Sequence, residues 1–187
     1  MAQTPEEYLE EVTVGPREKH NAPVELAEYD PDWPELYARE EEKIRKALGE
    51  RALQIEHVGS TSVPGLAAKP IIDIVLTVED TTDEDAYVPD IEKAGYTLRI
   101  REPAWFEHRM FKGTDPAVNL HVFPAKREEV GRMLAFRDHL RENEEARDLY
   151  ERAKRELAVR TWEHVQHYAD AKTDVVKEIV ARATGAA

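Results

Sequence analysis

Apolar and polar positions are patterned differently in the two halves of this chain. Up to about residue 124, short apolar or alternating runs, which predict strands, are interleaved with segments of helical spacing. After Pro124 the sequence is highly charged, has few helix-breaking residues and carries its apolar residues at helical spacing. The pattern predicts an α+β fold, with a mixed sheet flanked by helices over residues 21–124 and a C-terminal helical extension over residues 125–187 packed on it. Residues 1–20 are expected to form an arm or a short helix.

The same periodicities place the individual elements. Helices are predicted over residues 5–12, 32–48, 83–94, 126–143 and 144–184, with glycines at positions 49 and 95 as stop signals. Strands are predicted over residues 24–29, 53–58, 70–79, 96–100, 105–112 and 117–123, the last two forming a hairpin. The run over 24–29 is expected at a sheet edge, and the run over 70–79, apolar on both sides, at the centre.

The composition of the chain excludes several classes of binding and of chemistry. The formal net charge is -13, which argues against general nucleic-acid binding and against binding to anionic membranes, because both need a basic surface. The chain has no cysteine, which excludes disulfides, thiolate zinc sites and cysteine nucleophiles. No apolar run approaches the roughly 18 residues of a membrane span, and no signal-peptide pattern follows Met1. We therefore expect a cytoplasmic protein with no membrane association, whose oligomeric state the sequence does not indicate.

The central predicted strand contains one carboxylate, Asp73. Side chains alternate along a strand, so Asp73 shares a face with Val75 and Thr77. A carboxylate buried there costs several kcal/mol unless a partner compensates it. Just upstream lies a small polar turn whose N–H groups can surround an anion, formed by Gly59, Ser60, Thr61 and Ser62. Two simpler interpretations remain open: a plain exit from a strand, and a structural acid paired with Lys69 or an arginine.

Three polar side chains on neighbouring predicted strands are candidates to join Asp73. They are His57 at the end of its strand, Arg109 in the hairpin's first strand and His121 in its second. If these strands flank the central one, the four side chains converge, and two imidazoles with a carboxylate would suit zinc, manganese or nickel. Alternatively, each histidine is an ordinary half-buried side chain.

The C-terminal helices offer Lys154, Tyr168 and Lys172 near their apolar stripe. Their polar ends could reach the α/β part of the molecule. For Lys154 we favour a solvated ammonium whose stem covers apolar surface.

The chain as a whole resembles the GrpB family, a family with a nucleotidyltransferase-like fold that is also found fused to dephospho-CoA kinase. The resemblance covers roughly residues 22–182, and the first 20 residues lie outside it. Its motifs are Val24-Glu25-Leu26, Tyr29-Asp30-Pro31-Asp32-Trp33-Pro34, the run from Ile55 to Leu66, Lys69-Pro70-Ile71-Ile72-Asp73-Ile74, Asn119-Leu120-His121-Val122, Phe136-Arg137-Asp138-His139-Leu140-Arg141, Tyr168 and Lys172.

The resemblance implies a nucleotidyltransferase-like core. In active members of that superfamily a Gly-Ser turn holds phosphate, and two acids spaced i and i+2 on one strand, with a third from a later strand, hold two divalent metals for in-line transfer. Gly59, Ser60 and Asp73 match that pattern. Val75 stands where the second acid belongs and His121 where the later strand supplies the third, and neither suits Mg²⁺.

Three hypotheses follow. In the first, the protein is a nucleotidyltransferase with altered metal usage, Mg or Mn, in which Asp73 is the metal ligand and His121 a ligand or base. Phosphate would then be bound by the turn of Gly59, Ser60, Thr61 and Ser62 and by the cations Lys69, Arg109 and Lys172. In the second, it is a non-catalytic binding module for a nucleotide, a CoA-like molecule or another small phosphorylated ligand. In the third, His57, Asp73 and His121 form a Zn or Ni site.

Overall fold

The computed structural model describes residues 4–17 and 22–185 and confirms the predicted fold class. Parts of the predicted arm, residues 1–3 and 18–20, lie outside the described residues. A mixed five-stranded sheet is flanked by helices, and helices alone form the C-terminal part. Within the described ranges, no helix combines the length and the apolar character needed to cross a bilayer.

The sheet has the strand order β1-β2-β5-β4-β3. Its strands are β1 (Gln54–Val58), β2 (Ile72–Val78), β3 (Thr97–Glu102), β4 (His108–Thr114) and β5 (Ala117–Pro124). The central pair, β2 and β5, is parallel, and the other three pairs are antiparallel. As predicted, β4 and β5 form a hairpin, which turns at Asp115-Pro116.

The helices are α1 (Pro5–Val12), α2 (Trp33–Leu48), α3 (Val88–Lys93), α4 (Glu128–Glu142), α5 (Glu144–Ala158), α6 (Val165–Ala171) and α7 (Thr173–Thr184). On one face of the sheet, α2 and α3 bury the main core, to which β2 contributes Ile72, Ile74 and Leu76. On the other face, α4 covers Val58, Val75 and Phe123. Helices α4, α5 and α7 meet in a third apolar cluster, which includes Val63, Leu66, Tyr150 and Ile179.

Three predicted elements differ in the structure. The predicted strand over 24–29 makes a single bridge, Ala27 to Ala68, instead of a ladder. The predicted helix over 83–94 is a 3-10 turn (Glu84–Ala86) followed by α3, because Pro89 sits in the first turn of α3 and cannot continue a helix from upstream.

The predicted helix over 144–184 is divided into α5, α6 and α7. Helix α5 ends at Ala158, whose carbonyl accepts a hydrogen bond from the N–H of Val24 at 2.9 Å. The segment that follows also contacts the N-terminal part, since Trp162 pairs with Ala22. Tertiary contacts with a distant segment therefore accompany this break, which the helical spacing did not predict.

Candidate active site between the sheet and the C-terminal helices

Asp73 lies beside Asn119 and His121 because β2 and β5 run parallel in a register that pairs Asp73 with Asn119 and Val75 with His121. The Nδ2 of Asn119 donates to Oδ1 of Asp73 at 2.8 Å, and Nε2 of His121 lies 3.8 Å from the same oxygen. Burial acts to raise the pKa of Asp73, but His121, Asn119 and Lys69 outweigh it and hold the pKa below its usual value. The carboxylate is therefore ionised at neutral pH.

The exposure of Asp73 corrects the prediction of a fully buried acid. Its side chain is 29% exposed, whereas the rest of β2 is buried. The carboxylate can therefore contact a ligand. Val75, two residues further on the same face, is wholly buried under α4, so this position offers no second polar group.

Gly59 brings the polar turn directly against Asp73. Strand β1 ends at Val58, which is paired with Asp73, and Gly59 then adopts a left-handed φ of 68°. A Cβ at this position would lie 2.5 Å from Oδ2 of Asp73. Glycine is therefore required both by the backbone conformation and by the close approach of the carboxylate.

The three hydroxyl groups of the turn have different surroundings. Thr61 is buried and donates to the carbonyl of Ile71 at 3.2 Å, while Ser62 donates to the carbonyl of Gly59 at 2.6 Å. Both hydroxyl hydrogens are therefore used within the protein, at the turn and at the segment that leads into β2, and are not available to the predicted phosphate. Ser60 is half-buried and accepts a hydrogen bond from Nζ of Lys154 at 3.1 Å.

Three lysines converge on this turn, and we call Lys69, Lys154 and Lys172 the lysine cluster. The Nζ atoms of Lys154 and Lys172 lie 4.9 and 6.0 Å from the ring centre of Tyr150. Those of Lys172 and Lys69 lie 4.6 and 5.6 Å from that of Tyr168. Aromatic faces attract cations, so the two rings hold the three ammonium groups close to one another.

The interpretation of Lys154 as a solvated surface lysine was wrong. It is 1% exposed, and its ammonium also donates to the carbonyl of Ala67. The residue lies on the inner side of α5, where it reaches across to the turn that precedes β2. Helical spacing placed Lys154 near the apolar stripe, but only the packing of α5 shows that its ammonium is enclosed.

Burial lowers the pKa of all three lysines, and the charge of Lys172 lowers those of Lys154 and Lys69 further. Burial, followed by the charge of Lys172, lowers the pKa of Lys154 to about 7 and that of Lys69 to about 8. Burial also lowers the pKa of Lys172, whereas Asp73 acts to raise it. Two carboxylates act on the three lysines. Asp73 acts on Lys69 and Lys172, and Glu151 acts on Lys154, so positive charge is in excess. An added anion would relieve this repulsion.

A chain of hydrogen bonds runs from His121 away from Asp73. Nδ1 of His121 lies 3.1 Å from Nε2 of His108, and Nδ1 of His108 lies 2.5 Å from Oε2 of Glu102. The other oxygen of Glu102 accepts from the hydroxyl of Tyr8 on α1. Burial lowers the pKa of His108 to about 4, against the raising effect of Glu102, so His108 is neutral at neutral pH.

These hydrogen bonds determine which ring nitrogen of His121 carries the hydrogen shared with His108. Because neutral His108 donates from Nδ1 to Glu102, its Nε2 can only accept, and the hydrogen between the two rings belongs to Nδ1 of His121. The other ring nitrogen of His121, Nε2, is the one that faces Asp73. His108 and Glu102 were not predicted from the sequence, because their contacts follow from the pairing of β3 with β4 and of β4 with β5.

Two predicted site residues lie on the other face of the sheet. Arg109 is paired with Val122 instead of His121, and its Nε donates to Glu84 at 2.7 Å. His57 is paired with Ile74 and stacks on Tyr37 at 4.7 Å between ring centres. The predicted convergence of four side chains was therefore wrong for these two.

A zinc or nickel site formed by His57, Asp73 and His121 is not assembled, since His57 faces away from the other two. Over residues 4–17 and 22–185, no group of three or more His, Asp or Glu side chains is arranged to hold a metal ion. The positive charges of Lys69 and Lys172 act on Asp73, which disfavours a divalent cation beside it. The residues present therefore fit neither the transition-metal site nor a two-magnesium centre.

Comparisons with known proteins agree with the sequence motifs. A family model described as GrpB protein matches residues 23–182. A UPF0157 protein of Halalkalibacterium halodurans is 62% identical over 178 residues, which cover 95% of this chain and 91% of the relative. The crystal structure of the conserved protein GrpB from Enterococcus faecalis is 32% identical, with a TM-score of 0.74, over 85% of this chain and 96% of that one. A dephospho-CoA kinase of Mycolicibacterium paratuberculosis is 43% identical over 83 residues, 43% of this chain but 20% of the kinase.

Proposed function

Since this chain belongs to the GrpB family, as its motifs indicated, we propose that the lysine cluster and Ser60 form a binding site for the phosphate groups of a small ligand such as a nucleotide. One observation carries the proposal. In a chain of net charge -13, one buried and two half-buried lysines lie close together, and the buried one, Lys154, contacts the hydroxyl of Ser60 in the glycine turn. Enclosed cations in excess over carboxylates favour an anionic ligand.

The depressed lysine pKa values add a second support. Without a ligand, Lys154 and Lys69 are only partly protonated at neutral pH. A bound phosphate would stabilise the ammonium forms and raise both pKa values, so that binding takes up protons. Binding should therefore weaken as the pH rises from 6.5 to 8.5, because an increasing fraction of the free protein must first be protonated.

A binding experiment tests this function. Calorimetric titration with ATP, pyrophosphate and dephospho-CoA, the last chosen because of the partial match to dephospho-CoA kinase, should give a saturable signal in at least one case. Lys154→Met and Lys172→Met should each weaken that binding about tenfold or more, as expected for a lost charge-assisted hydrogen bond. Lys46→Met, at an exposed position on α2, is the control and should bind as the wild type does. Failure of all three compounds to bind, or equal binding by all three variants, would contradict the proposal.

Catalytic nucleotidyl transfer is the second candidate, and the histidine chain favours it. Here Nε2 of His121 would accept the proton of an acceptor hydroxyl, assisted by the negative charge of Asp73. The hydroxyl oxygen would bond to the α-phosphorus of a nucleoside triphosphate, the bond to the β-phosphate oxygen would break, and pyrophosphate would leave. The lysine cluster would neutralise the charge of that leaving group, a task that metal ions perform elsewhere.

Pyrophosphate release separates the two candidates. With nucleoside triphosphates and a panel of hydroxyl acceptors, the wild type should release pyrophosphate, and His121→Asn and Asp73→Asn should each lower the rate by a factor of about 100 or more, the range for loss of a general base. Wild-type release no faster than that of Asp73→Asn would exclude transfer and leave the binding function standing.

A further inference from the structure

A cleft of about 460 Å³ lies beside β1, and none of the three lysines of the lysine cluster lines it. Its walls come from α2, the edge strand β1, the segment after the glycine turn, α4 and the start of α5. The residues that give it chemical character are three arginines and two tyrosines, namely Arg137, Arg141, Arg147, Tyr29 and Tyr37.

The arginines carry more positive charge than their neighbours neutralise. Arg137 is ion-paired, with N···O distances of 2.9 Å to Glu56 and 2.7 Å to Asp138. Arg141 directs Nε to the carbonyl of Ser62 at 2.9 Å, and its nearer carboxylate contact, to Asp138, is 3.7 Å long. Three guanidinium groups thus face two carboxylates, both of which are already paired with Arg137.

Arg147 is oriented by carbonyl groups at the end of α4. Its NH1 group donates to the carbonyls of Leu140 and Arg141 at 3.2 and 3.4 Å. A carbonyl fixes the direction of a guanidinium without cancelling its charge. Consistent with this excess, burial and the charge of Arg137 lower the pKa of Arg141. The cleft therefore offers pre-positioned cationic donors of the kind that bind phosphate or carboxylate groups in a bidentate manner.

The other wall is flat, aromatic and uncharged. The ring of Tyr37 stacks on that of His57 with 8° between their planes, and its hydroxyl donates to the carbonyl of Ile55 at 3.2 Å. Burial lowers the pKa of His57 to about 4, so its ring is neutral at neutral pH. Tyr29 is braced edge-on against Trp33 at 5.4 Å between ring centres. Rings held in this way favour a planar partner, because stacking requires no further ordering of the side chains.

We propose that this cleft binds a small anion carried on a planar ring, with the anionic group on Arg141 and Arg147 and the ring against Tyr29 and Tyr37. The site is independent of the phosphate site proposed above. It adjoins the same turn, however, since Arg137 and Arg141 donate to the carbonyls of His57 and Ser62, on either side of Gly59 and Ser60. A ligand in the cleft would therefore lie next to the turn that positions Ser60.

Titration of the full chain with phenyl phosphate, benzoate and inorganic phosphate tests the proposal. Arg141→Gln and Arg147→Gln should each raise the Kd for phenyl phosphate about tenfold or more. Tyr29→Leu should weaken the binding of phenyl phosphate and leave the binding of inorganic phosphate unchanged. Binding of benzoate as well as phenyl phosphate would identify a general anion site, and binding of phenyl phosphate alone a phosphate site.

Two controls make the outcome decisive. Arg45→Gln changes an exposed arginine of α2 that is paired with Glu41, and it should bind phenyl phosphate as the wild type does. Arg141→Gln could disturb folding by removing the hydrogen bond to the carbonyl of Ser62. Arg141→Lys keeps the positive charge, and it should retain part of the binding of phenyl phosphate. The proposal is overturned if neither ring-bearing anion binds, or if binding persists in both arginine-to-glutamine variants and disappears in Lys154→Met.

Discussion

Replacing Lys154 by methionine should change how the stability of this protein depends on pH. The substitution keeps the length of the side chain and removes the enclosed ammonium. The pKa of Lys154 falls from 10.5 to about 7 because burial and the charge of Lys172 disfavour the protonated form. One pKa unit corresponds to about 1.4 kcal/mol, so the charged form is disfavoured in the folded protein by about 5 kcal/mol.

The sign follows from proton counts. Between pH 7 and about 10.4 the unfolded chain keeps the proton of Lys154 while the folded protein has lost it, so the free energy of unfolding rises with pH by about 1.4 kcal/mol per unit. Below pH 7 both states are protonated and this contribution is flat. The methionine variant lacks it altogether. The free energy of unfolding of the wild type minus that of the variant should therefore increase by about 2–3 kcal/mol between pH 7 and pH 9.

Urea unfolding at pH 6, 7, 8 and 9, followed by circular dichroism, measures this difference directly. Lys69 and Lys172 titrate in both proteins, and taking the difference largely removes their contributions. For Lys46→Met, at an exposed position, the free energy of unfolding of the wild type minus that of the variant should not vary with pH. A flat difference for Lys154→Met over the same range would refute the enclosure of its ammonium and weaken the proposed phosphate site.

Two further substitutions test the geometry around Asp73. Gly59→Ala and Gly49→Ala should both lower the free energy of unfolding measured with urea, because both glycines have a left-handed φ. The loss should be larger by about 1 kcal/mol or more for Gly59→Ala, because only there would the new Cβ meet Asp73. Equal losses would mean that the carboxylate does not approach the turn. Arg109→Met should lower thermal stability, because it leaves Glu84 without one of its partners, and should leave phosphate binding unchanged in calorimetry; weakened binding would contradict the assignment of Arg109 to the other face.

The close approach of the Gly59 turn to Asp73 could be predicted from local sequence. The turn at Gly59 and Ser60 and the carboxylate at Asp73 were identified correctly as neighbours, because each is a polar or glycine position that interrupts an apolar pattern. The exposure of Asp73 could not be predicted, since it depends on where α4 stops covering the sheet. Val75 lies under that helix and Asp73 does not.

The amino-acid sequence by itself determined the fold class, most of the helices and strands and the residues that alternate on each face of a strand, because these depend on periodicities within short segments. The tertiary structure alone decided which faces meet. The pairing of β1 with β2 and of β4 with β5 places His57 and Arg109 away from Asp73, and a register shifted by one residue would have reversed both. The packing of α5 brings Lys154 to Ser60, 94 residues earlier in the chain. Such contacts leave no local pattern, since they arise only when distant segments bury their apolar faces together.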